Sequence, residues 1–250
     1  MSNSANPFNV AAAAVVAVGV VISFNLLSGA IVRSRGADEM IRVTGSARKD
    51  IESDFIIWSG NVSYRGKTVT DAYGAVKRGM DQVVAYLKKK GVKDTEIITM
   101  AITTSPVYIN VKNVGGGEET TSSRIDGYEL TQVIEVRSSN VDLVEKVSRE
   151  TTDLIATGVS FNSNSPQFLY TKIQEEKVQI LAEAAKDARR RAEEIAKSAG
   201  GSLGEVRFAR MSPLQITPRF STEVTYDGQN DTTSKDKAIT AIVSMGFGVR

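Results

Sequence analysis

Four carboxylates lie at positions where they could act as a catalytic acid or base. Asp54 precedes a predicted strand, and Asp126, Glu129 and Glu135 lie at the start of a later strand or along it. Two carboxylates can work as acid and base when burial separates their pKa values. No spacing here forces two of them together, and Asp54 has the position of a turn or cap residue. An enzyme that uses carboxylates or lysine is therefore a weak hypothesis, which a close carboxylate pair in an apolar pocket would revive.

The composition excludes most other catalytic chemistry. The 250 residues contain no cysteine and no histidine, which removes thiolate nucleophiles, imidazole bases and the usual zinc ligands. The 31 Lys and Arg against 29 Asp and Glu give a net charge of +2, too small to attract nucleic acid. We expect no catalytic residue, no cofactor, no metal site and no nucleic-acid partner, so the chain is not expected to be an enzyme.

Three short motifs resemble binding sites and have structural explanations. Residues 115–117 are three glycines, but no Lys-Ser or Lys-Thr follows, so a flexible connector is favoured over a phosphate-binding loop. Residues 88–90 are three lysines before Gly91, a pattern typical of a helix C-terminus. Residues 189–191 are three arginines interleaved with acidic residues, which indicates an ion-paired, solvated helix face.

Hydrophobic periodicity predicts the elements that position these residues. Strands are predicted at 41–47, 54–64, 97–108, 128–137 and 239–249, the last with apolar residues at every second position. Helices are predicted after the capping patterns at Thr68 and Ser139 and over residues 166–199, and 111–127 is predicted to be a polar loop. The long helix buries a stripe rich in alanine, which allows a neighbouring backbone or sheet to approach closely.

Residues 10–32 carry no charge and are long enough to cross a bilayer as a helix. We expect a signal anchor there, after a short tail at 1–9 and before a linker at 33–40. A cleaved signal peptide is the alternative, because Ser28, Gly29 and Ala30 are small residues suited to cleavage. Arg33 and Arg35 after the span oppose the orientation that places the rest of the chain in the periplasm.

The chain resembles the SIMPL-domain family of bacterial envelope proteins. The residues that carry the resemblance are Val43-Thr44-Gly45-Ser46-Ala47, Ser53-Asp54, Gly127-Tyr128-Glu129-Leu130-Thr131-Gln132, Val136-Arg137-Ser138 and the spaced alanines and glycines from Ala185 to Val206. Two departures concern the turns: Ser53 replaces the family's proline, and the 110–127 loop is long. The resemblance implies helices on a mostly antiparallel sheet, homo-oligomers that include rings or cages, and a role in envelope or oxidative stress. It implies no catalytic residues.

The expected fold class is therefore α+β, with an N-terminal transmembrane helix at 10–32 and a SIMPL-like domain at 41–250 whose sub-lobes are about 41–109 and 128–250. We expect a single-pass inner-membrane protein that faces the periplasm, or a soluble periplasmic protein after signal cleavage. Its expected partners are copies of itself and, through 10–32, the lipid bilayer. The expected function is structural self-assembly, and the alternative is a binding module for a cell-wall fragment, lipid or small ligand.

Overall fold

A computed structural model describes residues 40–115 and 118–250 of the chain. These residues divide into two units. The first unit contains residues 40–47, 179–213 and 241–250, and the second contains residues 48–178 and 214–240. Each unit therefore combines segments that are far apart in the sequence.

The strands are β1 (Met40–Glu52), β2 (Phe55–Gly66), β3 (Ile97–Gly115), β4 (Glu118–Ser138), β5 (Phe161–Ser163), β6 (Gln167–Leu169), β7 (Leu203–Met211), β8 (Gln215–Pro218), β9 (Gln229–Asn230) and β10 (Asp236–Val249). The helices are α1 (Val69–Lys89), α2 (Val141–Glu150), α3 (Asp153–Ala156) and α4 (Ile173–Ser198), with a 3₁₀ turn at Asp94–Glu96.

The second unit is built on a sheet in the order β3-β4-β2, with β5 and β6 both paired to β2. Alternate residues of β2 point to one face, where Ile56, Trp58 and Val62 are fully buried. They form one core with apolar residues of α1, α2 and α3. Thr68 caps α1 by accepting a bond from the Asp71 backbone N–H, and Gly91 follows the helix with φ of 98°. Both predicted ends of this helix are confirmed.

The second unit also buries a lysine that sequence periodicity did not single out. Lys237 is 1% exposed, and its Nζ donates to the carbonyl oxygens of Phe168, at 2.6 Å, and Asp231. Burial lowers the pKa of Lys237, and the nearby Asp231 charge opposes that shift. The two carbonyls partly offset the cost of burying an ammonium group, so this lysine ties the 219–235 connection to β6.

In the first unit, β10 lies between β1 and β7. Helix α4 covers one face of these strands through Ala184, Ala188, Ala192 and Ala196, all at most 1% exposed. A Cβ built on Gly45 of β1 would lie 2.3 Å from the Ala184 carbonyl oxygen and 2.3 Å from the Ala188 nitrogen. The predicted close approach along the alanine stripe is thus confirmed, because helix and strand backbones pack directly against each other.

The expected α+β fold class is wrong for residues 40–115 and 118–250. Strands occupy more of the described chain than helices do, because β3 and β4 continue through the expected 111–127 loop. The long helix also begins at Ile173 rather than at 166, since β6 occupies 167–169. Among residues 40–115 and 118–250, no helix has the length and apolarity needed to span a bilayer. The segment expected to span, 10–32, lies outside the described residues.

Candidate assembly surface

A two-stranded arm extends from the sheet of the second unit. We define the arm as residues 107–115 of β3 and 118–127 of β4, which pair with each other in antiparallel register from Val107↔Gly127 to Gly115↔Glu118. Strand β2 pairs with β4 only as far as Gly66↔Tyr128. Beyond that point no third strand pairs with the arm in the described part of the chain, and residues 111–115 and 118–127 are strands rather than the loop that the sequence predicted.

The described side chains of the arm are in contact with solvent on both faces. Tyr108 and Ile125 lie directly opposite each other across the two strands and are 58% and 46% exposed. Val107, Ile109 and Val111 alternate with Tyr108 and so point to the other face, where they are only partly buried. The arm therefore has apolar side chains on both faces, and no described element forms a packed layer over Tyr108 and Ile125.

A β-bulge that ion pairs stabilise lies at the base of the arm. The register shifts between Val107 and Tyr108, so Asp126 is the extra residue on β4. Its carboxylate accepts bonds from Arg65, at 2.5 Å, and Lys67, at 2.8 Å. The Lys67 hydrogen bond is the largest cause that lowers the pKa of Asp126, and the charges of Arg65 and Arg124 add to it. Asp126 therefore fixes the point at which the arm leaves the sheet.

We predict that Asp126→Asn weakens the acid dependence of stability. Because the pKa of Asp126 is lowered on folding, its contribution is complete above its unfolded pKa, about 3.9, and is lost as pH falls through the folded pKa. The variant should have a lower urea midpoint than the wild type at pH 7, and the difference should shrink at pH values below about 3. Asp227→Asn, at an exposed position, is the control. A constant difference across this range would contradict the prediction.

The other candidate carboxylates are also held by structural partners. Asp54 accepts from the backbone N–H and the hydroxyl of Thr171, at 2.7 and 2.8 Å, which fits its predicted turn role. Glu129 accepts from the Ser63 hydroxyl at 3.1 Å, and Glu135 pairs with Arg137. Glu129 and Glu135 are six residues apart on one strand, about 20 Å. Glu129 and Glu135 are therefore not a close pair.

The arginines at 189–191 form the ion-paired helix face that the sequence predicted. Arg189 pairs with Glu193 at 2.9 Å, and Arg190 and Arg191 pair with Asp187 at 2.6 and 2.7 Å. Asp187 also accepts from the Ser46 backbone N–H, the largest cause that lowers its pKa. The neighbouring carboxylates form ion pairs with these arginines, so the arginines do not form a strong anion-binding site.

A cleft of about 330 Å³ lies between α1 and the neighbouring strands β3 and β4. Met80 is its buried lining residue, and Val84 and Ile97 are partly buried. Lys77, Asp81 and Asp94 at its rim are exposed. The cleft is therefore a surface groove rather than the deep apolar cavity that a ligand-binding module would need.

Sequence reasoning missed the arm, although a signal for it exists. One segment follows the strand predicted at 97–108, and another segment of similar length precedes the strand predicted at 128–137. The two segments meet at the three glycines. Thr, Val, Ile and Tyr are frequent in these segments and favour strands, and glycine is typical of hairpin turns. Symmetry about a glycine turn thus indicates a long hairpin.

A known protein family matches nearly all of the residues whose fold is described above. The model of the family SIMPL, described as a protein of unknown function (DUF541), matches residues 41–247. The chain belongs to the SIMPL family. The match begins at the second residue of β1 and ends within β10, so it includes both units and the arm.

Two relatives of this SIMPL protein carry the same description. The 26 kDa periplasmic immunogenic proteins of Brucella melitensis and Brucella abortus are each 27% identical to it over 181 residues. The aligned regions cover 71% of this chain and 68% of each relative. Both relatives are named as periplasmic proteins, which supports a periplasmic location for this chain.

Proposed function

We propose that this SIMPL protein is a periplasmic structural protein that assembles into a homo-oligomer through its arm. The observation that carries the proposal is the two-stranded arm, in which Tyr108 and Ile125 are exposed on one face and valine and isoleucine are partly buried on the other. The proposed role is non-enzymatic, and it is supported by the structural partners of Asp54, Asp126, Glu129 and Glu135.

An isolated two-stranded hairpin is only marginally stable in water, and stable sheets need a third strand or a packed layer. The arm has neither among the described residues, yet its strands remain paired over their full length. A partner that covers Tyr108 and Ile125 would remove a cross-strand apolar pair from water. The arm is therefore best explained as one half of an interface.

A second copy of the same chain suits the arm as a partner. Each copy supplies open strand edges and apolar faces, so two arms can add strands to each other or stack face to face. Such an interface would be symmetric, so each substitution would remove a contact residue from both copies. Ring- or cage-like assemblies are what the family resemblance implies, and the arm is the described element that we propose links the copies.

The proposal is tested by the mass of the full-length protein, purified in one detergent and measured by multi-angle light scattering. We expect a mass several times 26.9 kDa for the wild type. Tyr108→Ser combined with Ile125→Ser should weaken association by at least about 10-fold, because each apolar side chain contributes about 1.5–3 kcal/mol when fully buried.

The matched control is Tyr226→Ser combined with Val224→Ser, since these residues are 95% and 56% exposed away from the arm. The control should keep the wild-type mass. A monomeric wild type at micromolar concentration would refute the assembly. An unchanged mass in the Tyr108 and Ile125 variant would refute the arm as its interface.

A role in envelope or oxidative stress belongs to the same proposal and rests on the family resemblance. A strain without the gene should survive detergent or peroxide less well than the parent, and the wild-type gene should restore survival. If the Tyr108 and Ile125 variant restored survival to the same level, the stress role would not depend on assembly through the arm.

A further inference from the structure

The first unit has a sheet face that helix α4 does not cover. Odd-numbered residues of β1 point to the helix, as the buried Val43 and Gly45 show, whereas Arg42 and Thr44 are exposed on the opposite side. We call this opposite side the open face. It carries Arg42, Thr44, Arg207, Phe208, Arg210 and Ser244.

The pairing of the strands places these residues together. Phe208 and Arg210 of β7 lie opposite Gly246 and Ser244 of β10, and cross-strand partners point to the same side of a sheet. Ser244 is 3.3 Å from Thr44 through their hydroxyl oxygens, which joins β1 to the same face. The open face thus extends over three adjacent strands.

Two glycines on the central strand let long side chains lie flat across it. A Cβ on Gly246 would fall 2.2 Å from the Phe208 ring, so the ring rests directly on the β10 backbone. A Cβ on Gly248 would come within 3.3 Å of the Arg207 Nε. The Arg42 guanidinium lies 5.7 Å from the centre of the Phe208 ring, reaching it from the other side of β10.

Within the part of the chain that the structure describes, no carboxylate pairs with the arginines of this face. Among residues 40–115 and 118–250, Arg42, Arg207 and Arg210 form no ion pair with a carboxylate. The arginines of α4 are different, because Asp187 and Glu193 pair with all three. Among the described residues, the open face therefore has three guanidinium groups without a carboxylate partner, next to an aromatic ring.

We propose that the open face binds the phosphate groups of an anionic lipid surface. A guanidinium group donates two parallel hydrogen bonds to a phosphate, which makes arginine well suited to this anion. Arg42 lies on β1 and Arg207 and Arg210 lie on β7, and because β10 lies between these strands they are about 10 Å apart. Such a spacing fits a layer of separate phosphates better than one small ion, and Phe208 is an apolar side chain of the kind that enters the boundary between lipid headgroups and acyl chains.

The test measures binding of the full-length protein to vesicles of phosphatidylcholine with and without phosphatidylglycerol. The wild type should prefer the anionic vesicles, and the preference should disappear in 1 M salt, where the Debye length is about 3 Å. Arg42→Gln, Arg207→Gln and Arg210→Gln together should lower the partition coefficient for anionic vesicles by about 100-fold, since each arginine near the surface contributes about 5-fold. Binding to pure phosphatidylcholine should not change.

The matched control removes the same charge elsewhere, by Arg189→Gln, Arg190→Gln and Arg191→Gln, and should keep the anionic preference. Circular dichroism shows whether each variant is folded, and the single variant Arg210→Gln, with an expected loss of about 5-fold, provides the answer if the triple variant unfolds. Equal losses in the open-face and control variants would overturn the proposal. Displacement of the protein from vesicles by millimolar inorganic phosphate, or tighter binding to a DNA oligonucleotide than to vesicles, would also overturn it.

Discussion

Gly45→Ala is expected to lower the free energy of unfolding of the first unit by about 3 kcal/mol, at the upper end of what overpacking costs. The added methyl group would lie 2.3 Å from the Ala184 oxygen and from the Ala188 nitrogen, and 2.7 Å from the Ala188 Cα. These atoms are helix backbone, so they cannot move aside as the end of a flexible side chain can. The strand and α4 must separate to accept the methyl group, which exposes the alanine stripe.

The measurement is urea unfolding followed by far-ultraviolet circular dichroism. Gly74→Ala is the control, because a Cβ there meets only the end of the Arg78 side chain, at 3.3 Å. Alanine is favoured over glycine inside a helix by about 1 kcal/mol, so the control should be slightly more stable than the wild type. If both variants have the same midpoint, the direct backbone packing at Gly45 is refuted.

Trp58→Ala is expected to lower the free energy of unfolding of the second unit by about 3–5 kcal/mol. Trp58 is fully buried, and its ring centre lies 5.9 Å from that of Phe161. Its indole N–H donates to the Ser163 hydroxyl at 3.1 Å, and that hydroxyl donates to the Ser148 carbonyl. The substitution removes the ring from the core and breaks this chain of hydrogen bonds.

Trp58→Phe separates the two effects. It keeps most of the apolar volume and loses the indole N–H, so we expect a cost of about 1–2 kcal/mol. Trp58 is the single tryptophan of the chain, so unfolding has to be followed by circular dichroism rather than by fluorescence. Equal costs for the two variants would show that the hydrogen bond, and not the ring, dominates at this position.

The sequence predicts those elements whose signals are local. Helix α1 has a threonine cap, an apolar stripe and a lysine-glycine end, and each of these acts within a few residues. Strand β2 alternates between buried and partly buried residues because one of its faces is covered, whereas β10 is buried at consecutive positions near both of its ends. The alanine stripe of α4 also predicts close packing, since the size of alanine alone sets how near a neighbour can come.

The sequence does not predict what depends on distant partners. The arm is polar by composition, so hydrophobic periodicity does not predict its strands, and only the strand-favouring residues on both sides of the glycines indicate a hairpin. The open face is assembled from β1, β7 and β10, and no single segment contains its three arginines. By contrast, the consecutive arginines at 189–191 attract attention in the sequence although the fold neutralises them.

The position of β10 sets an order for folding. In the first unit β10 separates β1 from β7, although it follows both in the chain, and its earlier residues pair with β8 in the second unit. Until residues 241–249 have been synthesised and exported, β1 and β7 lack the strand that joins them. A chain that emerges from its N-terminus therefore keeps β1 and β7 without their strand partner until late, which favours delayed folding.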